Sequence, residues 1–357
     1  MRRRLGSSSK TKVSLWCSVA FTPLFIRYCV PPGFMVVFCL SLNYLTEVVF
    51  LGTGATIPTS ERFLPSILVR DRMGNAILLD SGEGTQFRLA QLGVSPSSID
   101  LVAITHEHGD HVNGLPGLLQ SMYVGGRSRE LLLVAPASVA SFVENVLETR
   151  GGRLGFRVDV IIVKGRGSFE VRSSSNDILT LNWFPVCHTV EAYGYALEWK
   201  LRPRISFEKL ESLGLKPGPW VRDLLRKGEV EVGGMRVKLE DVASDGWMEV
   251  KLSYTGDTTP CNGYVEDIRG SRVLVHDSTF HSELEEEAKD KGHSTSKQAA
   301  LRALEAGVEL LILTHVSSRY RGFEVRRLLD EARRIFPNTL LSRDLMKVAV
   351  GARDRSG

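Results

Sequence analysis

The feature that most constrains the fold of this chain is a cluster of metal-binding side chains directly after a short apolar segment. The segment Leu101–Ile104 predicts a buried strand, and residues 105–111 follow it with the sequence Thr-His-Glu-His-Gly-Asp-His. His106 and His108 are two residues apart, so on extended backbone both imidazoles point to the same side. They can therefore bind one cation.

The second half of this segment adds two further potential ligands. We expect Gly109 to take a positive φ and to bend the chain, which would direct Asp110 and His111 toward a second, adjacent metal ion. The alternative is a polar surface loop, but the whole chain has only eight histidines and three of them are here. The pattern His-x-His-x-Asp-His resembles the central motif of the metallo-β-lactamase superfamily.

Composition is that of an ordinary globular protein with a large core. The 357 residues are 43% hydrophobic and 24% charged, and the net charge of +4 permits a polyanionic partner without requiring one. Three of the five cysteines lie before residue 45, and the other two are Cys187 and Cys261. Because no cysteines are closely spaced, we expect no disulfide framework and a reducing, cytoplasmic compartment.

Residues 1–44 differ in character from the rest and form an atypical N-terminal extension. Basic residues precede an apolar run at Val13–Phe25, as in a targeting segment or membrane anchor, but the two apolar stretches are short and interrupted. Three interpretations remain: an unstructured or targeting extension, an anchor, or a misassigned start with initiation near Met35 or Leu45. We expect no membrane partner, and we expect one domain over residues 45–357.

From residue 45 onward, short strands and helices alternate, which predicts an α/β chain. Ile67–Arg70 and Ala76–Leu79 predict a hairpin. Asp80 follows the second of these strands, where its carboxylate could orient a metal-bound histidine or could cap the next helix.

Three more potential ligands also stand where predicted strands end. His188 follows the strand at Ile178–Val186, and Cys187 beside it is expected to point into the core. Asp257 follows the strand at Met248–Tyr254 on a glycine turn, where its two oxygens could bridge two cations. His315 follows the strand at Leu310–Thr314. With the first segment they give enough ligands for two metal sites that share Asp257.

Residues 200–229 form a basic segment. Its cations outnumber its acids, and Trp220 follows Pro217, Gly218 and Pro219. A solvated helical hairpin is one interpretation. The other is an arm that binds a phosphate backbone, where each lysine or arginine adds salt-sensitive affinity without sequence preference.

A set of motifs in a fixed order resembles the ribonuclease Z family. The motifs are Phe50-Leu51-Gly52-Thr53-Gly54, residues 80–86, residues 106–117, Gly256-Asp257-Thr258, Gly292-His293-Ser294-Thr295 and residues 313–320. The resemblance extends from about Val48 to Val350.

The resemblance implies an αβ/βα four-layer sandwich, two Zn²⁺ ions and an endoribonuclease that removes the 3′ trailer from tRNA precursors. Matched by motif, one zinc would be bound by His106, His108 and His188, the other by Asp110, His111 and His315, with Asp257 bridging. Asp110 would also activate the attacking water, and His293 would assist the leaving group. The basic segment would be the family's tRNA-binding arm, with Pro217, Gly218, Pro219 and Arg319 as substrate-binding residues, in a homodimer.

Two departures and two alternatives remain. The family usually has glutamate where this chain has Asp277, and Arg62-Phe63 stands where an Arg-Asn pair is common. One alternative function is hydrolysis of small phosphodiesters or other esters, which would not require a basic arm. The other is RNA binding without catalysis, against which the full set of ligands argues.

Overall fold

The computed structural model describes residues 27–29, 36–38, 44–149, 154–171, 177–201, 203–244 and 248–351. Most of the N-terminal extension, including the apolar run at Val13–Phe25, lies outside these residues, as does Arg202 of the basic segment. Within the described ranges, no helix combines the length and the apolar character that crossing a membrane requires.

The secondary structure alternates along the chain as the sequence predicts. The strands are β1 (Arg27–Cys29), β2 (Val36–Phe38), β3 (Tyr44–Gly52), β4 (Gly54–Ala55), β5 (Ser66–Asp71), β6 (Ala76–Leu79), β7 (Leu101–Ala103), β8 (Leu131–Ala135), β9 (Val158–Ile162), β10 (Gly167–Val171), β11 (Ile178–Pro185), β12 (Tyr193–Leu201), β13 (Glu229–Val232), β14 (Met235–Lys238), β15 (Met248–Tyr254), β16 (Val273–Asp277), β17 (Leu310–Thr314), β18 (Val316–Ser317), β19 (Thr339–Leu341) and β20 (Lys347–Gly351). The helices are α1 (Thr85–Gln91), α2 (Gly109–Val112), α3 (Leu115–Val124), α4 (Ala137–Thr149), α5 (Phe207–Ser212), α6 (Trp220–Lys227), α7 (Leu239–Val242), α8 (Val265–Ile268), α9 (Glu285–Asp290), α10 (Ser296–Glu305) and α11 (Phe323–Arg333).

Two large sheets form the centre of the molecule. The first has nine strands in the order β1-β2-β20-β3-β5-β6-β7-β8-β9, and the second has seven in the order β10-β11-β12-β15-β16-β17-β19. Strands β6 to β9 are parallel neighbours in the first sheet, and β15, β16, β17 and β19 are parallel neighbours in the second. The carboxyl ends of each parallel set therefore meet at one edge of its sheet.

Side chains on β3 show how one strand serves two layers. Val48 and Phe50 belong to the core between the two sheets, whereas Val49 and Leu51 pack with α1, α3 and α4 on the outer face of the first sheet. Successive strand residues point to opposite faces, so a strand buried on both sides is apolar throughout. This explains the continuous apolar run that marks β3 in the sequence.

A third core lies between the second sheet and the helices on its outer face, among them α10. The layers are thus helices, sheet, sheet, helices, and the predicted αβ/βα sandwich is confirmed. The predicted hairpin is present as β5 and β6, and the strand Met248–Tyr254 has the predicted bounds. Strand β10 was not predicted. Its residues alternate between exposed and half-buried, so its sequence gives only a weak apolar signal.

The basic segment belongs to a small module with a core of its own. Leu210, Leu224, Val237 and Val242 are fully buried together in it. Ile205 and Ala243 pair as an antiparallel bridge at its base, so the module enters and leaves the second sheet at one point. Its packed unit spans residues 205–243, including the hairpin β13–β14 and α7, and thus extends beyond residue 229. Lys200 lies in β12 and not in the module.

Candidate metal centre

Four strands of the two sheets end at one place, and all seven predicted ligands meet there. They come from the segments after β7, β11, β15 and β17, and they form two adjoining groups. In each group the potential ligand atoms lie within 4.8 Å of one another: the first group is His106, His108 and His188, and the second is Asp110, His111, Asp257 and His315.

The first group consists of three imidazoles that face a common point. His188 Nε2 lies 3.1 Å from His108 Nδ1, and the ring centroids of His106 and His188 are 4.8 Å apart. Three imidazole nitrogens are a common protein contribution to a zinc site.

The second group combines imidazoles and carboxylates. His111 Nε2 lies 3.4 Å from His315 Nε2, and His315 Nε2 lies 3.3 Å from Asp110 Oδ2. Such a mixture of nitrogen and oxygen atoms suits a divalent transition metal.

Asp257 lies between the two groups. Its Oδ2 is 3.2 Å from His111 Nε2, 3.3 Å from His315 Nε2 and 3.8 Å from His106 Nε2. Because this one carboxylate reaches both groups, it has the position that a bridging ligand requires.

Two buried atoms of the centre lack any protein partner among the described residues. They are His106 Nε2 and Asp257 Oδ1, one from each side of the cluster. Leaving buried polar atoms without a partner is costly, and a divalent cation would satisfy both. The site therefore fits metal ions on its own geometry.

Each of four ligand imidazoles is oriented by a partner at its other nitrogen. The Nδ1 atoms of these histidines contact Thr105 Oγ1 (2.9 Å from His106), Asp80 Oδ2 (2.8 Å from His111), the Gly292 carbonyl (2.7 Å from His188) and Thr279 Oγ1 (2.8 Å from His315). Such partners fix the ring orientation and the tautomer, leaving Nε2 free for a metal.

Asp80, one of these partners, has further hydrogen bonds that extend to two other segments of the core. It also accepts hydrogen bonds from the Thr105 amide and the Tyr254 hydroxyl, both at 2.8 Å. Asp80 thus contacts a candidate-ligand histidine, as one interpretation of the sequence expects. The helix-cap interpretation is wrong, because α1 begins after Gly84 without a side-chain cap. Tyr254 was missed in the sequence, since it is 174 residues from Asp80.

The prediction that Gly109 bends the chain with a positive φ is wrong. Gly109 is the first residue of the short helix α2, and His108 precedes that helix in an extended conformation. A helical turn, and not a left-handed residue, directs Asp110 and His111 toward the second group. A Cβ at Gly109 would lie 2.6 Å from the end of the Asn113 side chain, which would have to turn away to admit it.

Two cysteine predictions are also wrong for the described residues: the absence of a disulfide and the inward direction of the Cys187 side chain. Cys187 is exposed and does not point into the core, and it forms a disulfide with Cys261, which lies 74 residues further on. Both β11 and β15 pair antiparallel with β12, so they run in the same direction and their following loops meet. Sequence spacing could not reveal this proximity.

His293 and Asp277 form a buried pair beside the second group. His293 Nδ1 lies 2.9 Å from Asp277 Oδ2, and Asp277 also accepts hydrogen bonds from the amides of Thr258, Thr279 and Ser294. Aspartate is therefore long enough to bind His293, although the family usually has glutamate there. The same pair lies close enough to Asp257 and His315 to form a third possible ligand group.

The charges around the centre shift several pKa values. Burial by itself would lower the pKa of His293, but Asp277 and then Asp257 outweigh it and raise this pKa to about 9. Burial likewise opposes the charge of His111, yet Asp257, Asp80 and Asp110 hold its pKa well above the usual value. The excess of carboxylates makes the centre favourable for cations.

Arg319 is already bound to an acidic side chain of the protein. It forms two hydrogen bonds with Glu287, at 2.7 and 2.9 Å, and lies 4.8 Å from the centroid of the Phe280 ring. Pro217, Gly218 and Pro219 precede α6 in the small module. Substrate binding by these four residues stays a prediction.

The Arg62-Phe63 departure has a structural explanation. The Phe63 amide donates a hydrogen bond to Asp344, and the Phe63 ring lies 4.0 Å from the Arg88 guanidinium. Phenylalanine thus contributes a cation–π contact where the family commonly has asparagine.

Comparison with known proteins agrees with this geometry. Residues 46–207 match the sequence profile of the family described as anti-Pycsar protein Apyc1. The ribonuclease Z of Aeropyrum pernix is 48% identical over 304 residues, which are 85% of this chain and 98% of that protein. Human tRNase Z, short form, matches in structure with a TM-score of 0.60 at 22% identity, over 85% of this chain and 99% of that chain.

The metallo-β-lactamase fold protein YhfI from Bacillus subtilis also has a TM-score of 0.60, at 16% identity, over 85% of this chain and 98% of that chain. The fold is thus that of the metallo-β-lactamases. The identity and coverage of the Aeropyrum protein go further and show that the chain belongs to the ribonuclease Z family. The predicted class of enzyme, an endoribonuclease, is confirmed with it.

We predict that His315 is a metal ligand and that His293 is not, and metal content tests this prediction. His315→Ala should lose about half of the bound zinc, because His315 Nε2 faces the second group. His293→Ala should keep all of it, because the Nδ1 of His293 already contacts Asp277. Metal content measured by mass spectrometry after dialysis checks this, and equal losses in the two variants would show that His293 is a ligand.

Proposed function

We propose that this protein is a zinc-dependent endoribonuclease that removes the 3′ trailer from tRNA precursors. It cuts after the discriminator nucleotide, leaving a 3′-hydroxyl on the tRNA and a 5′-phosphate on the trailer. The observation that carries the proposal is the buried Asp277–His293 pair directly beside the two ligand groups, because it supplies a proton donor where a phosphodiester would lie.

In this proposal His106, His108 and His188 would hold one zinc ion, Asp110, His111 and His315 would hold the other, and Asp257 would be shared. When bound, two such ions would lower the pKa of a water molecule and neutralise charge on the phosphate. Asp110 orients the water and accepts its proton. Its Oδ2 is held 2.8 Å from the Thr56 amide, which fixes the carboxylate at the mouth of the site.

His293 has the second chemical role. Asp277 binds its Nδ1 and favours the protonated imidazole, so that Nε2–H can donate a proton to the departing 3′ oxygen. Without that proton the leaving group would be an alkoxide, which is a poor one near neutral pH. His293 is only 9% exposed, so the proton is delivered within the site.

In this proposal the small module binds tRNA. Its helix α6 carries Arg222, Arg226 and Lys227, and Pro217-Gly218-Pro219 precede that helix. Phosphate contacts from such residues position a folded RNA without reading its sequence. Arg319, a homodimeric assembly and a cytoplasmic location belong to the same proposal.

The direct test uses the zinc-loaded protein and a precursor tRNA with a 3′ trailer. We expect cleavage after the discriminator nucleotide, and mapping of both product ends by sequencing and by phosphatase sensitivity checks the chemistry. Addition of a chelator should abolish cleavage and zinc should restore it. An intact precursor, with a competent enzyme cutting the same RNA in parallel, would contradict the proposal.

Deletion of the module distinguishes the proposal from a hydrolase of small phosphodiesters. Because Ile205 and Ala243 are paired, residues 205–243 can be replaced by a short Gly-Ser linker without separating β12 from β15. We expect precursor cleavage to fall by at least about a hundredfold, because several phosphate contacts are lost. Cleavage of bis(p-nitrophenyl) phosphate and the zinc content should stay unchanged. Unchanged precursor cleavage would favour the alternative.

Asp277→Asn tests the proton donor. The carboxylate raises the pKa of His293, so its removal lowers that pKa and the alkaline decline of kcat/KM should begin at lower pH. Bound cations would lower the pKa of His293 in the wild type and in both variants alike. The test therefore compares the pH profiles of these proteins with one another. Asp277→Glu keeps the charge and should keep the wild-type profile; an alkaline limb that does not move in Asp277→Asn would remove His293 from this role.

A further inference from the structure

The disulfide between Cys187 and Cys261 joins two loops that each carry a metal ligand. Cys187 immediately precedes His188, and Cys261 lies in the segment that follows Asp257. The covalent link therefore connects the loop of the first ligand group to the loop of the bridging carboxylate.

His188 has weaker support from packing than four of the other six candidate ligands. His106, His111, Asp257 and His315 are at most 2% exposed at the ends of core strands. His188 is instead half-buried, lies beyond the last residue of β11, and has the exposed residues Cys187 and Thr189 on either side. Its position depends on what holds this loop.

The loop is closed by a hydrogen bond from the Val186 amide to the Ala192 carbonyl at 3.1 Å, and further contacts hold Cys187 and His188. The Cys187 carbonyl accepts hydrogen bonds from Thr259 (2.7 Å from the amide, 3.2 Å from Oγ1), and the Cys187 amide donates to Thr258 Oγ1 at 3.2 Å. The ring of His188 is bound through Nδ1 to the Gly292 carbonyl. The hydrogen bonds of Cys187 all lead to the loop after Asp257, where the disulfide also attaches. Because water can compete for these hydrogen bonds, the disulfide is the contact that keeps the two loops together when they open.

We propose that the Cys187–Cys261 disulfide is a positioning device that fixes His188 for metal binding. Its reduction loosens the first ligand group and leaves the second intact. The inference rests on the proposed zinc centre, but it adds a property of that centre that depends on redox state.

The reduction is a two-electron exchange. A trialkylphosphine attacks the exposed Cys187 sulfur, the Cys261 thiolate leaves and is protonated, and water hydrolyses the phosphonium to phosphine oxide with release of the Cys187 thiol. A dithiol would do the same through a mixed disulfide and would itself be oxidised to a cyclic disulfide.

The test uses the full chain with Cys17, Cys29 and Cys39 replaced by serine, so that only the proposed pair remains. Thiol titration under denaturing conditions should count no thiols before and two after treatment with tris(2-carboxyethyl)phosphine. After removal of the phosphine, zinc release is followed with a chromogenic chelator. We expect one zinc equivalent to leave about tenfold faster from the reduced protein, because the loss of a contact that supports a ligand weakens metal binding by about that factor. The other equivalent should leave at an unchanged rate.

Cys187→Ser with Cys261→Ser, in the same background, is the matched control. It should release one zinc quickly with or without phosphine. The inference is overturned if the untreated protein already has two thiols, if reduction leaves the rates unchanged or slows them, or if both equivalents are accelerated equally. An oxidised protein that binds no zinc would instead contradict the metal centre itself, and the inference with it.

Discussion

The carboxylate of Asp257 is the point on which the rest of the site depends. It is 2% exposed, and its Oδ2 lies within 3.8 Å of imidazoles from both ligand groups. It reaches this position because Gly256 takes a φ of +61°, with the Thr105 side chain packed so closely that any Cβ would lie 2.7 Å from it. The end of β15 and the end of β7 are thus locked together at the place where the two sheets meet.

The segment around Gly292 links the first group of candidate ligands to the buried Asp277–His293 pair. The Gly292 carbonyl orients His188, and the next residue, His293, is bound by Asp277. Gly292 has a φ of +76°, and a Cβ there would lie 2.7 Å from His188 Nδ1. One short loop therefore contributes both to the position of His188 and to that of His293.

Much of this could be predicted from sequence because the ligands follow apolar strands, and strand ends gather at sheet edges. The meeting of the seven candidate ligands at one place could be anticipated in that way, together with the position of Asp80 beside them. What escaped prediction depends on contacts between distant segments: Tyr254 with Asp80, Thr279 with His315, Gly292 with His188, and the disulfide. No local pattern marks these pairs. Gly109 was misjudged because glycine can also begin a helix, and does not occur only where φ is positive.

The central claim is that two metal ions share Asp257, and anomalous diffraction from crystals grown with zinc tests it most directly. Data collected on both sides of the zinc absorption edge should show two peaks about 3.5 to 4 Å apart, one among His106, His108 and His188 and one among Asp110, His111 and His315, each in contact with Asp257. A single peak, or a second ion bound by Asp277 and His293, would contradict the account.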